Sequence, residues 1–364
     1  MKTWLATLAA LTGLAGLLTP QAAAAGPVQE YLDRLVRTEK LPGAVLLVSG
    51  PRGRELATAG VANLQTREPV TAQTRFYIAS SGKLVTAVAT LQLVQERRLR
   101  LSDKVYPLVR DIPGISRLRN VQAVTVEQLL NHHSGMADYF DDDFEAMALA
   151  APERIFTADE SLAHAYGMKA SARPGTEYDY NNTNYVLLGR LIELTDNTTY
   201  AAAVQRRVLD ALGMSATSVG ARKGTPGLAH GYATSDSGKR QDVSHTGWNA
   251  ITGDGAIVTT APDYEAFIQA LFRDGKLLPM ATVRQMCTPP DASPDSGYGL
   301  GCSIEESPWG DAWGHNGSIS GFNADTWYFP KIGVTVVFMT NGDFQSDEPD
   351  VVNRAVRAYL RNKQ

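Results

Sequence analysis

Apolar residues at Val28, Tyr31, Leu32, Leu35 and Val36 recur at helical spacing and predict an N-terminal helix. The runs Ala44 to Val48 and Glu55 to Val61 then read as strands, and Gly50-Pro51-Arg52-Gly53 between them predicts a hairpin. Near the other end, Thr326 to Phe329 and Val334 to Met339 form a second strand pair across Pro330-Lys331-Ile332-Gly333. A helix carrying Val351, Val352, Ala355, Val356, Tyr359 and Leu360 follows.

From about Lys83 to Leu212 the pattern is mainly helical with irregular links, unlike the strand–helix alternation of a doubly wound sheet. The two terminal hairpins bury their apolar faces if they join one antiparallel sheet covered by the first and last helices. The expected class is α+β: an antiparallel sheet flanked by N- and C-terminal helices, with a mainly helical lobe inserted. The α/β lobe is drawn over 26–80 and 245–364 and the helical lobe over 81–244, as one catalytic unit over 26–364. No internal repeat or low-complexity tract interrupts this plan.

Composition changes the picture little. The chain of 364 residues is 44% hydrophobic and 20% charged, with a formal net charge of -4. That balance gives no general attraction for nucleic acid or an anionic membrane, so the expected partner is a small molecule or peptide. Residues 1–25 change it more. Lys2, the apolar run Leu5 to Leu18 and the small residues up to Ala25 predict a signal peptide cleaved after Ala25, and hence a periplasmic or secreted protein. The run is shorter than the roughly 18 to 20 residues that span a bilayer, so no membrane span is expected after cleavage. In an oxidising compartment Cys287 and Cys302 can form a bridge or remain two buried thiols, and spacing does not decide between them.

Three short stretches carry candidate chemistry. Ser80-Ser81-Gly82-Lys83 opens a helix whose Leu84, Val85, Val88, Leu91 and Val94, with the intervening alanines, are apolar on nearly every side, so it is buried. Ser80 and Lys83, three residues apart, share one helical face. A serine hydroxyl is a weak nucleophile until a neighbour accepts its proton, and a desolvated amine can do so. Taken alone, Ser80 also fits an N-cap and Lys83 a solvated first-turn residue, although a cation at a helix N-terminus opposes the macrodipole. Tyr180-Asn181-Asn182, before the helical Tyr185-Val186-Leu187-Leu188-Gly189, supplies a phenol able to act as acid or base and an amide able to orient a lysine. The same residues fit a turn and a helix cap. Trp313-Gly314-His315-Asn316-Gly317-Ser318 to Phe322 reads as an edge strand, with Gly317 letting a substrate approach the backbone and His315 facing the pocket opposite Lys83.

In this order, Ser80-Ser81-Gly82-Lys83, Tyr180-Asn181-Asn182 and His315-Asn316-Gly317 resemble the S-x-x-K, Y-x-N and K/H-x-G motifs of the class C β-lactamase and D-alanyl-D-alanine carboxypeptidase superfamily, the S12-type serine hydrolases. The resemblance extends to Leu41-Pro42-Gly43-Ala44, the stretch Val124 to Met136 and the stretch Gly253 to Asp263, read as scaffold, with Ser134 making local turn bonds. It implies an acyl-enzyme on Ser80, with Lys83 and Tyr180 as catalytic residues, either of which can serve as base. It further implies Asn182, His315, Gly317 and Ser318 as substrate-binding residues, with the oxyanion between the backbone N–H groups of Ser80 and Ser318.

Two positions depart from the pattern. Gly82 stands where members of the superfamily usually carry threonine, and an early-turn glycine is expected to loosen Lys83. His315 replaces the lysine that would offer a drug carboxylate a permanent cation, so the third motif is more similar to a carboxypeptidase or related D-amino-acid peptidase than to a β-lactamase. β-Lactamase or carboxylesterase activity is the alternative, and a non-catalytic penicillin-binding-like protein a further one. The chain has no H-E-x-x-H, paired C-x-x-C, P-loop or G-x-S-x-G, so neither metal nor cofactor is expected. Asp138-Tyr139-Phe140-Asp141 and the loop Ser244 to Asn249 are candidate pocket walls without assigned roles.

Overall fold

The computed structural model describes residues 26–221, 225–235, 238–244, 252–291, 293–346 and 350–361. The expected leader over 1–25 and wall candidates 245–249 lie outside the described residues. The strands run β1 (Gly43–Gly50), β2 (Gly53–Gly60), β3 (Phe76–Tyr77), β4 (Ser218–Val219), β5 (Tyr232–Thr234), β6 (Arg240–Asp242), β7 (Ile257–Thr259), β8 (Ser303–Glu305), β9 (Ala312–Ile319), β10 (Phe322–Phe329) and β11 (Val334–Thr340). The helices that matter here are α1 (Pro27–Thr38), α2 (Lys83–Gln95), α3 (Asp142–Ala150), α4 (Asn182–Asp196), α5 (Ala261–Phe272), α6 (Met280–Met286) and α7 (Val351–Arg361).

Both terminal hairpins join one six-stranded antiparallel sheet in the order β2-β1-β11-β10-β9-β8. The sheet is buried on both faces because β1 and β11 are apolar at consecutive positions. Ala44, Leu46, Val48, Val336 and Phe338 pack under α1 and α7, while Val45, Leu47, Val337 and Met339 point into the larger core shared with the helical part. Tyr31 ties the two terminal helices by donating from its hydroxyl to the Val351 carbonyl at 3.1 Å.

The strand ends differ from the periodicity-based reading in ordinary ways: β1, β2 and β11 each run to their turns. β9 differs more. It is not an edge strand over its whole length, because β8 pairs with Ala312 to Gly314. A two-residue turn at Ser320-Gly321 also separates Phe322 into β10. Within 81–244 the chain also forms β4, β5 and β6, and β4 pairs with β7 from beyond that stretch.

α2 is buried almost throughout, Lys83 included, as its all-round apolar pattern requires. Ser80 precedes it in a 3₁₀ turn, Ala79–Gly82, rather than in the helix itself. The N-cap position of α2 is Gly82 and makes no side-chain capping bond, so Ser80 is not a cap. Cys287 and Cys302 are joined as a disulfide with Cα atoms 5.3 Å apart, which fastens the end of α6 to the segment entering β8.

Candidate active site

The 3₁₀ turn is wedged between β9 and the loop before β7. Ala79 has φ of 45°, in the left-handed region that alanine seldom occupies, so the chain enters Ser80 through a sharp bend. Ser81 anchors the turn from below: its hydroxyl donates to the His315 carbonyl at 2.7 Å and lies 3.2 Å from Thr326 Oγ1. Gly317 makes this contact possible. A Cβ there would sit 2.1 Å from the Ile78 carbonyl oxygen and 3.0 Å from the Ser80 nitrogen.

Lys83 is fully buried and its Nζ has three partners: Ser80 Oγ at 3.0 Å, Asn182 Oδ1 at 2.7 Å and the backbone oxygen of Asp254 at 3.0 Å. The solvated first-turn reading of Lys83 therefore fails. Carbonyl oxygens only accept, whereas a hydroxyl can donate or accept. A neutral Nζ uses its two N–H groups on Asn182 and Asp254 and turns its lone pair to the Ser80 hydroxyl. A charged Nζ donates to all three. The arrangement can therefore take up a proton from Ser80 without moving a heavy atom.

Asp138 fixes which end of the Asn182 amide meets Lys83. Asn182 Nδ2 donates to Asp138 Oδ2 at 2.9 Å, and the backbone N–H groups of Asn182 and Phe140 donate to Oδ1 at 3.2 and 3.1 Å. A carboxylate accepts only, so Nδ2 must face it and Oδ1 is left for the lysine. Burial pushes the Asp138 carboxyl above its ordinary range, opposed by those N–H groups and by Lys83. Asn181, not Asn182, is the cap of α4, its side chain accepting from the Asn184 N–H.

Tyr180 lies with its ring centroid 4.8 Å from Lys83 Nζ, and its buried hydroxyl has no hydrogen-bond partner among the described residues. Ser80, Tyr180, Asn182 and Ser318 all line one cavity of about 260 Å³. Its remaining wall is largely apolar and includes Tyr139, Phe140, Phe144 and Ile319. Tyr139 is held by donating to Asp254 Oδ2 at 2.7 Å.

Two predicted residues are not on that wall. His315 is 1% exposed, beneath Tyr180, with Nε2 3.0 Å from the Tyr298 hydroxyl and Nδ1 against the Asn316 carbonyl. A carbonyl needs a donor, so Nδ1 carries the proton and Nε2 accepts from Tyr298. Burial, then Lys83, push this imidazole down to about 3, so it is neutral near pH 7 and not the partly charged group expected from sequence. A side chain at Gly317 would face the nucleophile turn. At Gly82 a Cβ would come 3.0 Å from Ile257 Cγ1, a close but side-chain contact, and Lys83 is held by three hydrogen bonds.

Sequence reasoning gave no role to Asp138, Asp254 or His132. An acid inside the apolar run Met136 to Phe140 was the available signal for Asp138, since such carboxylates are buried only when partnered. The Asp254 contribution is a backbone oxygen, which no side-chain pattern reveals. Ser134 makes the expected local turn bond, its hydroxyl accepting from the Met136 N–H at 3.1 Å.

The family model described as Beta-lactamase matches residues 28–361. The unguisins hydrolase ungD of Aspergillus violaceofuscus is 26% identical over 355 residues, covering 88% of this chain but only 62% of that protein. Penicillin-binding protein 4* of Bacillus subtilis is 24% identical over 351 residues, covering 92% of this chain and 75% of the relative. The crystal structure of a D-stereospecific amidohydrolase from Streptomyces sp. superposes with a TM-score of 0.78 at 27% identity, over 93% of this chain and 99% of that one. With the family match spanning nearly the whole described chain, this protein belongs to the beta-lactamase family, among the beta-lactamase-like serine hydrolases.

Proposed function

We propose that this protein hydrolyses amide or peptide bonds of D-configured amino-acid derivatives through an acyl-enzyme on Ser80. The observation that carries the reading is the Lys83 tripod. Two fixed acceptors hold Nζ, and Ser80 Oγ is the one partner able to reverse its role. Lys83 then serves as the base that activates Ser80, in preference to Tyr180, whose hydroxyl has no bond to the nucleophile. Tyr180, on the pocket wall, is placed to deliver a proton to the leaving nitrogen. The backbone N–H groups of Ser80 and Ser318 serve as the oxyanion donors, and water releases the acyl group.

The cavity wall is read as lacking a cation, its one carboxyl side chain among the described residues being Asp254. Among the described residues of the pocket wall there is no Arg, Lys or His side chain, and His315 is inside and neutral. A terminal carboxylate beside the scissile bond would meet no cation there, which favours an amidase or aminopeptidase over a D-alanyl-D-alanine carboxypeptidase. The D-stereospecific relative supports the choice of D-substrates. The Cys287–Cys302 disulfide supports export to an oxidising compartment, the localisation we propose with it.

The test is turnover of paired D- and L-amino-acid anilides, a D-Ala-D-Ala-terminated peptide and nitrocefin, each against a Ser80→Ala control. Faster turnover of D-anilides than of the carboxylate-terminated peptide is expected. Preferred release of D-alanine from that peptide would return the reading to a carboxypeptidase, and preferred nitrocefin turnover would return it to a β-lactamase. Activity unchanged in Ser80→Ala would end it.

A further inference from the structure

His132 lies at the centre of the buried cluster behind Lys83, in a segment that the motif comparison treats as scaffold. It is fully buried, with φ of 59°. Two bonds from this one residue hold the Tyr178-Asp179-Tyr180-Asn181 segment. The His132 carbonyl accepts from the Asp179 N–H at 2.9 Å, and the His132 Nδ1 accepts from the Asn181 N–H at 3.1 Å. The Asn184 amide Nδ2 reaches the same Nδ1 at 3.2 Å. Asn181 is the residue between Tyr180 and Asn182, so fixing its N–H fixes the Tyr180–Asn181 peptide, which carries Tyr180 directly and leads into Asn182. The imidazole also lies under the Tyr180 ring, with centroids 4.4 Å apart.

The protonation of this ring follows from geometry. A backbone N–H can only donate, so Nδ1 must present its lone pair and the proton must sit on Nε2. A doubly protonated imidazole would turn an N–H against the Asn181 N–H and break the clamp. The groups facing the ring are Lys83 from α2, the neighbouring His133, Tyr178 and Tyr180 from the clamped segment, Tyr185 from α4, Tyr298, and His315 from β9. None of them is a carboxylate that would favour the imidazolium. Burial and the proximity of Lys83 also disfavour the charged ring.

We infer that His132 is a positioning residue of the hydrolase: as a neutral, Nε2-protonated imidazole it clamps the Asn181 peptide and so holds Tyr180 over, and Asn182 against, Lys83. This rests on the proposed serine-hydrolase reading. It adds that the competent geometry depends on an acceptor at the Nδ1 position and that His132 itself transfers no proton.

Two measurements test it. In the wild-type protein, ¹⁵N imidazole shifts should report Nε2 protonated and Nδ1 bare, with no titration of this ring from pH 5 to 9. An Nδ1-protonated tautomer, or titration in that range, would overturn the inference. The second measurement compares His132→Asn with His132→Leu. Asparagine tolerates a positive φ and puts an acceptor oxygen near the Nδ1 position, whereas leucine offers none. His132→Leu should lose about tenfold to a hundredfold in kcat, with KM within about threefold of wild type, as expected for a misplaced catalytic arm rather than lost substrate contact. His132→Asn should recover most of that loss. Equal losses in the two variants, or a wild-type kcat in His132→Leu, would overturn the clamp. If the leucine variant does not fold, the tautomer and the kcat of His132→Asn still decide. Labelling of wild-type Ser80 by a fluorophosphonate is run alongside: no adduct there defeats the hydrolase reading itself, while an adduct with indifferent His132 variants defeats only this inference.

Discussion

Replacing Asp138 by asparagine should disable the site while leaving the fold intact, because it reverses the polarity of one amide. Asp138 Oδ1 accepts from the backbone N–H groups of Phe140 and Asn182, a duty that the carbonyl oxygen of the introduced amide keeps. Oδ2, which accepts from Asn182 Nδ2, becomes an NH₂ group. Two donors then face each other, and the Asn182 amide must flip to offer its oxygen to that new NH₂. The flip presents Nδ2 to Lys83 Nζ in place of the acceptor now 2.7 Å away. Loss of one such hydrogen bond to a buried donor costs about 1 to 3 kcal/mol, or about 5-fold to 150-fold in rate. Stability should move the other way. The folded-state pKa of Asp138 is raised by burial, so its stabilising contribution is complete below the unfolded-state value and is lost as pH rises through the folded-state value. The always-neutral amide of D138N escapes that loss, and the variant should be no less stable at pH 7. Acidifying the parent through the raised pKa also puts a donor on residue 138, so the parent should show an acid limb in activity that D138N lacks. The assay is the rate of Ser80 phosphonylation by a fluorophosphonate together with ester turnover, with melting curves in parallel. Parental rates in D138N would refute the assignment.

Gly317→Ala should destabilise the fold by about 1 to 3 kcal/mol in urea titration and slow Ser80 labelling, because its Cβ collides with the Ile78 carbonyl beneath the nucleophile. His315 has a folded-state pKa of about 3. Since that lies below the unfolded value of about 6.5, its stabilising contribution is present above about 6.5 and is lost as pH falls toward 3, up to about 4 to 5 kcal/mol. His315→Asn should therefore narrow the difference in unfolding free energy between pH 7 and pH 4, and an unchanged difference would show that the ring is not buried neutral. Reduction of the Cys287–Cys302 bridge, which closes a 15-residue separation, should lower stability by about 3 kcal/mol in denaturant titration, with no change if the thiols are free in solution.

The sheet was legible because β1 and β11 carry runs of aliphatic residues whose length suits strands, and the terminal helices because α1 and α7 keep a strict apolar stripe. Ser80 and Lys83 were legible because their three-residue spacing is followed, in order, by Tyr180-Asn181-Asn182 and His315-Asn316-Gly317; alone, the pair also fits a cap and a solvated lysine. What sequence did not show was direction. Whether Asn181 or Asn182 caps α4 depends on where the helix begins, and spacing places that only to within a residue or two. The burial of His315 depends on the pairing of β9 with β10, a contact between separate strands. Asp254 acts through a carbonyl that any residue type would supply, so its identity carries no signal.

The side-chain alternation of a strand explains why the histidine of the third motif is not on the cavity wall. Along β9, His315 and Gly317 are buried while Asn316 and Ser318 are exposed. Ser318 lines the cavity, joined at the strand end by Ile319. His315 and Gly317 face inward, where Gly317 admits the 79–82 turn and the His315 carbonyl receives the Ser81 hydroxyl. The motif thus sets the distance between β9 and the nucleophile, and its histidine fills the space beneath Tyr180 as a neutral ring bonded to Tyr298. A lysine at 315 would have to bury its charge among these aromatic side chains, facing Lys83, or thread outward to solvent. Histidine avoids both by losing its proton. The inward turn keeps the His315 side chain off the cavity wall, the observation on which the proposed preference for substrates without a carboxylate beside the scissile bond rests.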